Sequence, residues 1–206
     1  MDKLRILIVD DHPILRHGIA ELLNREADME VCAQADGAEQ ALAMLAATPP
    51  AELPGIAVVD IGLELIKTLR QRHPGMQCLV ISMHDESVYA ERALRAGARG
   101  YVMKQEAAKK ILSALRQVST GELYLSERMR SSLLERPDSP LSVLSDRELE
   151  VFRLIGKGQK TGDIAKAIRR SVNTVETRRA NIKKKLRVRD AAELSRLAFR
   201  SFEDEA

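Results

Sequence analysis

The chain has 206 residues, of which 45% are hydrophobic and 31% are charged, and its formal net charge is only +3. This composition is typical of a soluble globular protein and excludes a mainly disordered or fibrous one. The small total hides an asymmetry, because residues 141–206 have 16 basic and 10 acidic side chains, a net charge of +6, whereas residues 1–140 have a net charge of −3. Length and charge together favour one medium-sized and one small domain.

The sequence predicts a cytoplasmic protein without a membrane span or a secretion signal. No run approaches the ~18 apolar residues that a spanning helix needs, and the first residues lead directly into a short apolar run. Cys32 and Cys78 stand alone in apolar segments, so we interpret them as buried thiols without a functional role.

Residues 1–121 alternate short apolar runs with segments of helical spacing. The runs that we predict as strands are Ile6–Val9, Met29–Ala33, Ile56–Val59, Cys78–Ile81 and Tyr101–Met103. The segments that we predict as helices are 14–25, 38–47, 63–71, 87–96 and 107–119. Strands that are apolar almost throughout and are separated by helices indicate a parallel sheet covered on both faces. The predicted fold class is a doubly wound, flavodoxin-like α/β domain with five parallel strands.

Polar side chains follow four of these strands. Asp10 and Asp11 follow the first, Asp60 the third, Ser82 the fourth and Lys104 the fifth. The carboxyl ends of parallel strands meet at one edge of the sheet, so we expect these groups to lie together. Clustered carboxylates repel one another unless a cation or protons compensate them, and hard oxygen donors with no Cys or His nearby favour Mg²⁺ as that cation. Asp60 could then accept a phosphoryl group. Ser82 would hydrogen-bond a phosphate oxygen, and Lys104 would neutralise the charge on the phosphate oxygens.

These segments resemble the receiver domain of two-component response regulators. The resemblance rests on Ile6–Pro13, Val58–Asp60, Ser82 and Gly100–Lys104. It implies that a sensor histidine kinase phosphorylates Asp60 and that Mg²⁺ is the cofactor. The residues that it assigns to the metal are Asp10, Asp11, Asp60 and, at a doubtful position, Gly62. The residues that it assigns to phosphate sensing are Ser82, Tyr101 and Lys104. Tyr101 could instead be a half-buried strand aromatic with its hydroxyl at the surface.

The connection after Asp60 departs from the family pattern. Several residues that usually precede the third helix, often Pro and Gly, are absent, so that Asp60 and Ile61 lead directly to Gly62. A βα connection of about two residues is sterically possible, but it makes Gly62 a doubtful source of the metal-binding carbonyl. The sequence leaves open whether Mg²⁺ binding and phosphorylation are retained. A second departure is Gln105, where the family often has Pro.

Residues 122–140 are predicted as a helix over 125–134 followed by a linker at Pro137–Pro140, since proline disfavours helix. Residues 141–206 then form a predicted all-helical domain. A capping box of Ser145 and Glu148 begins its first helix. The helices predicted there are Asp146–Ile155, which stops near Gly156 and Gly158, then Thr161–Ile168, a helix from the N-cap Ser171 through Leu186, and Ala191–Arg200.

The second and third of these helices form a helix-turn-helix candidate, because only Arg169 and Arg170 lie between them. The stretch from Lys157 to Arg189 carries 12 basic and 2 acidic residues, a net charge of +10, enough to neutralise several DNA phosphates. A small helical bundle with a solvated charged face would also explain the charge. The polar and small side chains expected on the face opposite the apolar one are Asn173, Glu176, Thr177, Ala180 and Lys184.

This region resembles the LuxR-type helix-turn-helix, and with a receiver it resembles response regulators of the NarL/FixJ type. The matching segments are Leu144–Val151, Ile164-Ala165, Ser171–Thr177 and Ile182–Leu186. The resemblance implies binding to double-stranded DNA and a homodimer formed through the final helix. The DNA-binding residues that it assigns are Lys160, Asn173, Thr174, Glu176, Thr177, Arg178, Arg179, Ala180 and Lys184. Glu176, Thr177 and Ala180 would read bases, and Arg178 stands where the family usually has His.

We interpret the chain as a transcription regulator that phosphorylation controls, and not as an enzyme. Two alternatives stay open. A metal-dependent phosphotransferase or phosphatase could use the same aspartates, although the short loops supply neither a substrate pocket nor a second acid/base group. A phosphorylation-independent DNA-binding regulator with a degenerate receiver is favoured by the short connection after Asp60.

Overall fold

The computed structural model describes residues 3–60, 62–127, 129–131, 140–168 and 170–202. The chain divides into two compact units, Met1–Arg136 and Pro137–Ala206. Their boundary falls within the segment that we predicted to contain a helix and a linker. Residues 127 and 129–131 of that predicted helix are helical, whereas residues 132–139 lie outside the described part of the chain.

The first unit contains a five-stranded parallel sheet in the order β2-β1-β3-β4-β5. Its strands are β1 Leu4–Val9, β2 Met29–Ala35, β3 Ile56–Val59, β4 Gln77–Ser82 and β5 Gly100–Met103. Its helices are α1 Pro13–Asn24, α2 Ala38–Ala47, α3 Leu63–Arg72, α4 Glu86–Ala96 and α5 Ala108–Ser119, with a 3-10 turn at Pro50–Glu52. The predicted doubly wound α/β fold is confirmed.

Some strands extend beyond the apolar runs that predicted them. Hydrogen bonding to a neighbouring strand continues past a polar residue that ends the apolar run, because strand pairing uses backbone groups and not the side chains. Thus β2 reaches Ala35, since Gln34 pairs with Ile8 and Ala35 with Val9.

Both faces of the sheet are covered, which explains why the strands are apolar throughout. On one face Ile6, Ile8 and Val58 pack with Leu23 of α1 and Leu115 of α5 in one buried cluster. The alternate strand residues point to the other face. Those residues, Leu7, Ala57, Val59 and Val80, are fully buried as well.

The register of the central strands determines where the polar residues emerge. Val9 of β1 pairs with Val59 of β3, and the Asp60 amide donates to the Val9 carbonyl at 2.8 Å. Asp10 and Asp60 therefore leave the sheet side by side. On the other side of β3, β4 and β5 are paired in the same direction, and the Lys104 amide donates to the Ser82 carbonyl at 2.8 Å.

The second unit is helical. A 3-10 turn at Pro140–Val143 precedes α6 Asp146–Gly156, α7 Thr161–Ala167, α8 Val172–Leu186 and α9 Ala191–Ser201. Glycine is required at the end of α6, because a Cβ at Gly156 would lie 2.8 Å from the Ala198 carbonyl oxygen of α9. Phe152 and Phe202 complete this contact with an edge-on ring pair at 5.8 Å between centroids. All four predicted helices are present.

No helix within the described ranges is both long enough and apolar enough to cross a membrane.

Candidate functional site

Lys104 is the shared partner of two carboxylates at the carboxyl edge of the sheet. Its Nζ lies 2.6 Å from Oδ2 of Asp10 and 2.8 Å from Oδ2 of Asp60. Asp10 is only 3% exposed, and the Asp60 side chain is 20% exposed. Burial lowers the pKa of Lys104, but hydrogen bonds to Asp10 and Asp60 outweigh that effect and raise its pKa overall. The residues at the ends of three strands thus form one ion-paired cluster, in which a single ammonium is shared by two carboxylates.

Asp11 and His12 complete the cluster at its exposed side. The Asp11 side chain is 75% exposed, and its Oδ1 lies 2.7 Å from Nδ1 of His12. The same nitrogen lies 3.3 Å from Oδ1 of Asp10. Our expectation that no His lies near the carboxylates is therefore wrong. The adjacency of His12 to the Asp10-Asp11 pair was the signal that could have revealed it, since three consecutive residues after a strand share one loop.

Ser82 and Tyr101 lie inside the domain beside this edge. Ser82 is fully buried, and its Oγ accepts a hydrogen bond from the His84 amide at 3.3 Å. Tyr101 is also fully buried, and its hydroxyl donates to the His84 carbonyl at 2.7 Å. The alternative of a half-buried tyrosine with a surface hydroxyl is therefore wrong. Both side chains contact the backbone of the same residue in the β4–α4 connection.

Gly62 is the residue that immediately precedes α3. Its carbonyl accepts the first hydrogen bond of that helix, from the Ile66 amide at 2.9 Å. Ile61 lies outside the described residues. That hydrogen bond uses one of the two lone pairs of the carbonyl oxygen, so the assignment of Gly62 to the metal stays a prediction.

The third helix of the second unit, α8, is anchored by a small apolar face. Val175 and Ile182 are buried, and Leu186 is partly buried. Ser171 caps the helix, since its Oγ accepts from the Thr174 amide at 3.2 Å. Ile164 of α7 is also buried, and α7 packs against α8. The two helices thus form a helix-turn-helix, with one face of α8 turned outward.

The structure exposes most of the residues that we assigned to DNA. The exposed ones are Lys160, Asn173, Glu176, Thr177, Ala180 and Lys184. Thr174 is partly exposed, and its Oγ1 lies 2.9 Å from Oγ of Ser171. Arg178 and Arg179 are partly exposed and lie at the two edges of the buried face, because each is three or four residues from both Val175 and Ile182.

Three further polar residues belong to this surface and were missed. Asn181 is exposed four residues after Thr177, on the outward face of α8. Lys166 and Arg170 line a surface depression at the turn between α7 and α8, next to Ser171. Helical spacing could have identified Asn181. The depression depends on how the two helices pack, so the sequence carried no direct signal for it.

Comparison with known protein families identifies both units. Residues 6–116 match the family described as the response regulator receiver domain. Residues 142–198 match the bacterial regulatory proteins of the luxR family. The acidic edge of a doubly wound sheet and the basic helix-turn-helix are thus parts of two known modules. The chain belongs to the two-component response regulators that join a receiver to a LuxR-type DNA-binding domain, a family of transcription regulators.

The chain matches curated relatives over nearly the whole length of both sequences. The chain is 32% identical over 211 residues to the oxygen regulatory protein NreC of Staphylococcus haemolyticus, covering 96% of this chain and 97% of the relative. It is 35% identical over 207 residues to the transcriptional activator protein ExaE of Pseudomonas putida, covering 94% and 95%. A structure of the RcsB response regulator of Salmonella typhimurium, described as showing conformational dynamism for DNA interaction, has 25% identity and a TM-score of 0.70, covering 96% and 98%.

Proposed function

We propose that this response regulator is controlled by phosphorylation of Asp60 by a sensor histidine kinase, and that its helix-turn-helix binds double-stranded DNA. The observation that carries the proposal is the ion-paired cluster at the sheet edge. Lys104 lies 2.8 Å from Asp60, and Asp60 is more accessible than the buried Asp10. A phosphodonor can therefore reach Asp60, where a cation already offsets negative charge.

The donor set fits a divalent cation. Asp10, Asp11 and Asp60 supply hard carboxylate oxygens at one edge, the ligands that Mg²⁺ accepts in proteins. Asp10 and Asp11 would hold the ion, and Asp60 would share it. When bound, the ion would neutralise charge on the phosphoryl oxygens. The Gly62 carbonyl, which immediately precedes α3, would have one lone pair left to add a backbone oxygen to this set.

Transfer requires only a nucleophile and charge stabilisation from this chain. A carboxylate oxygen of Asp60 attacks the phosphorus of the donor phosphohistidine. The new P–O bond forms as the P–N bond breaks, and the bonding pair returns to the imidazole of the kinase. The Lys104 ammonium stabilises the negative charge that develops on the transferred group.

The acyl phosphate would be sensed by Ser82, Tyr101 and Lys104. The Lys104 amide is bonded to the Ser82 carbonyl, and Tyr101 and Ser82 both contact the backbone of His84. A phosphoryl group that binds the Lys104 ammonium and the Ser82 hydroxyl would therefore change the contacts of the β4–α4 connection and of Tyr101 at the same time. We expect an equilibrium between an inactive and an active conformation of the receiver. The phosphate can shift it only by the difference between its binding free energies in the two conformations.

The helix-turn-helix would place α8 in the major groove. Glu176, Thr177 and Ala180 would meet base edges. The residues that would contact the groove or the phosphates around it are Lys160, Asn173, Thr174, Arg178, Arg179 and Lys184. We further propose that α9 forms a homodimer, because Phe199 leaves a large apolar side chain 54% exposed on that helix. We also propose that the protein acts in the cytoplasm, where a DNA target would lie, and that it catalyses no turnover of a substrate.

Incubation with acetyl phosphate and Mg²⁺ tests the phosphoacceptor. Intact-mass spectrometry should show the addition of one phosphoryl group to the wild type and none to Asp60→Asn. Asp36→Asn is a matched control, because this exposed aspartate lies outside the cluster, and it should be phosphorylated like the wild type. An unmodified wild type would favour the second candidate, a phosphorylation-independent DNA-binding regulator. The short connection between Asp60 and α3, which begins at Leu63, is the observation that favours that candidate.

Binding to duplex DNA at several salt concentrations tests the basic surface. Affinity should fall steeply with salt, and each lost phosphate contact should reduce the slope of log K against log salt by about 0.9. Arg178→Ala, Arg179→Ala and Lys184→Ala should weaken binding, whereas Lys67→Ala on α3 should not. Unchanged binding by all three variants would contradict this surface assignment.

A further inference from the structure

The chain that follows α5 remains attached to the open edge of the receiver sheet. Tyr124 forms a parallel bridge with Gly100 at the start of β5, and the Tyr124 amide donates to the Arg99 carbonyl at 2.8 Å. The side-chain amide of Gln117 on α5 donates to the Leu123 carbonyl at 2.8 Å. These bonds fix the path of the backbone beside β5, which is the last strand of the sheet.

The packing of this segment against β5 is close. A Cβ added at Gly100 would lie 2.9 Å from the Tyr124 Cβ and 3.1 Å from the Tyr124 carbonyl oxygen, so only glycine fits there without a shift. The Tyr124 side chain packs against the main core cluster of the receiver. The position of the segment is therefore set by the fold of the receiver.

Ser126 caps the short helix that follows, here called the linker helix and described at residues 127 and 129–131. Its Oγ accepts from the Met129 amide at 3.0 Å, and its carbonyl accepts from the Arg130 amide at 3.0 Å. Met129 is only 3% exposed, so the first turn of this helix belongs to the packed part of the receiver. Loss of such a serine cap typically destabilises a helix end by a factor of about five.

The cap is held from α4. The Ser126 hydroxyl donates to Oε2 of Glu86, the first residue of α4, at 2.8 Å. A hydroxyl has one proton to donate, so this charge-assisted bond fixes its rotation and directs a lone pair of Oγ toward the Met129 amide. Glu86 is thus a positioning residue, because it sets the geometry of a cap that it does not itself make.

Glu86 lies two residues after His84, the residue whose backbone Ser82 and Tyr101 both contact. The His84 amide donates to Ser82 Oγ at 3.3 Å, and the Tyr101 hydroxyl donates to the His84 carbonyl at 2.7 Å. Movement of this backbone therefore moves the start of α4. Because hydrogen bonds from a hydroxyl to an oxygen span only about 2.5–3.0 Å, a shift of about 1 Å at Glu86 breaks its bond to Ser126.

We propose that the Glu86–Ser126 hydrogen bond couples the β4–α4 connection to the cap of the linker helix, so that a change in this connection loosens the first turn of the segment leading to the DNA-binding unit. Phosphorylation of Asp60 supplies that change, because the phosphoryl group competes for the Ser82 hydroxyl, whose oxygen accepts from the His84 amide. In this respect the inference rests on the proposed function. The coupling itself is a property of the receiver and is measurable without phosphorylation.

Amide hydrogen exchange in the full chain, followed by NMR at Met129 and Arg130, tests the cap. Ser126→Ala and Glu86→Ala should each speed exchange at these amides about fivefold. Glu86→Gln keeps an acceptor oxygen and should restore most of the protection. Glu91→Ala, at an exposed position on α4, is the matched control and should exchange like the wild type. The double variant of Glu86→Ala and Ser126→Ala should exchange no faster than Ser126→Ala, because Glu86 acts through Ser126.

Two perturbations of the connection test the coupling. Tyr101→Phe removes the hydrogen bond to the His84 carbonyl and should speed exchange at Met129 in the otherwise wild-type chain but not in Ser126→Ala. Acetyl phosphate with Mg²⁺ should have the same two effects, in samples whose phosphorylation is confirmed by intact mass. A wild type that gains no phosphoryl group would contradict the proposed function, and Tyr101→Phe would then decide the coupling alone.

Three results would overturn the proposal. Unchanged exchange at Met129 in Glu86→Ala would show that Glu86 does not hold the cap. Effects of Glu86→Ala and Ser126→Ala that multiply in the double variant would show that the two residues act independently. An equal or absent response of the wild type and Ser126→Ala to Tyr101→Phe, or unchanged exchange in a wild type that mass shows to be phosphorylated, would show that the connection and the cap are not coupled.

Discussion

Lys104 holds together two carboxylates that would otherwise repel each other. Its Nζ is within 2.8 Å of both Asp10 and Asp60, and Asp10 and Lys104 are each 3% exposed. An ion pair this buried contributes little compared with an apolar core, but removing one partner leaves an uncompensated charge in a poorly solvated place. The role of Lys104 before phosphorylation is therefore structural as well as functional.

Lys104→Ala should lower the free energy of unfolding of the receiver by about 3 kcal/mol. Urea denaturation at neutral pH measures the loss, and added divalent metal should restore part of it by replacing the positive charge. Lys67→Ala is a matched control on the surface, where an ion pair with Glu64 at 3.2 Å should contribute less than about 1 kcal/mol. Equal effects of the two substitutions would contradict the buried role of Lys104.

The same pair predicts a pH dependence. The pKa of Lys104 is higher in the folded protein than in the unfolded chain, because the carboxylates outweigh burial. The folded state then binds the proton more tightly, so the stabilisation is fully present below the unfolded pKa and is lost as pH rises through the folded one. The stability difference between the wild type and Lys104→Ala should be constant between about pH 7 and 9 and should shrink only in strongly alkaline solution.

At the scale of elements, the carboxylate of Glu148 connects the start of α6 to the last turn of α8 in the helix-turn-helix. Oε2 of Glu148 accepts from the Ser145 amide at 2.8 Å and from Nζ of Lys185 at 2.6 Å. Glu148 therefore closes the cap of α6 and holds the last turn of α8 at the same time. Burial raises the pKa of Glu148, but its bonds to Lys185 and Ser145 outweigh that effect and lower it overall.

Lys185→Ala should lower the free energy of unfolding of the second unit by about 2 kcal/mol, because a buried charged acceptor loses its cation. Lys184→Ala, at the adjacent exposed position, should change stability by less than about 0.5 kcal/mol and yet weaken DNA binding. Thermal unfolding and duplex titration together separate the two roles. The depressed pKa of Glu148 means that this stabilisation is present at neutral pH and is lost as pH falls through the folded-state pKa.

At the scale of the whole molecule, the proposed switch couples two units that fold around separate cores. Coupling between two sites is typically about 1–3 kcal/mol, which corresponds to roughly 5–150-fold in affinity. We therefore expect phosphorylation to promote dimerisation and to tighten duplex binding within that range. Sedimentation and duplex titration, with and without acetyl phosphate, measure both effects. Asp60→Asn should respond in neither assay, and a wild type that is phosphorylated without either change would contradict the coupling.

The fold was predictable because its signals are local. The five strands and five α-helices described for the receiver, and the four α-helices described for the second unit, follow from apolar spacing and from caps such as Ser145 and Ser171, whereas the 3-10 turn at Pro50–Glu52 was not predicted. The candidate site was predictable in part, because parallel strands bring their carboxyl ends to one edge and so bring Asp10, Asp60 and Lys104 together. These inferences need only the order of residues along each element.

Contacts that depend on side-chain direction were decided by the tertiary structure alone. Spacing along the chain does not show that Lys104 bridges Asp10 and Asp60, that Tyr101 is wholly buried, or that Lys185 reaches Glu148. The same is true of His12. Its position next to Asp11 in the sequence does not show how far the His12 ring lies from Asp60. The sequence by itself determined the elements and the edge at which the polar groups meet, since backbone periodicity is local. The partners of each polar group depend on packing between residues far apart in the chain, and only the folded protein decides them.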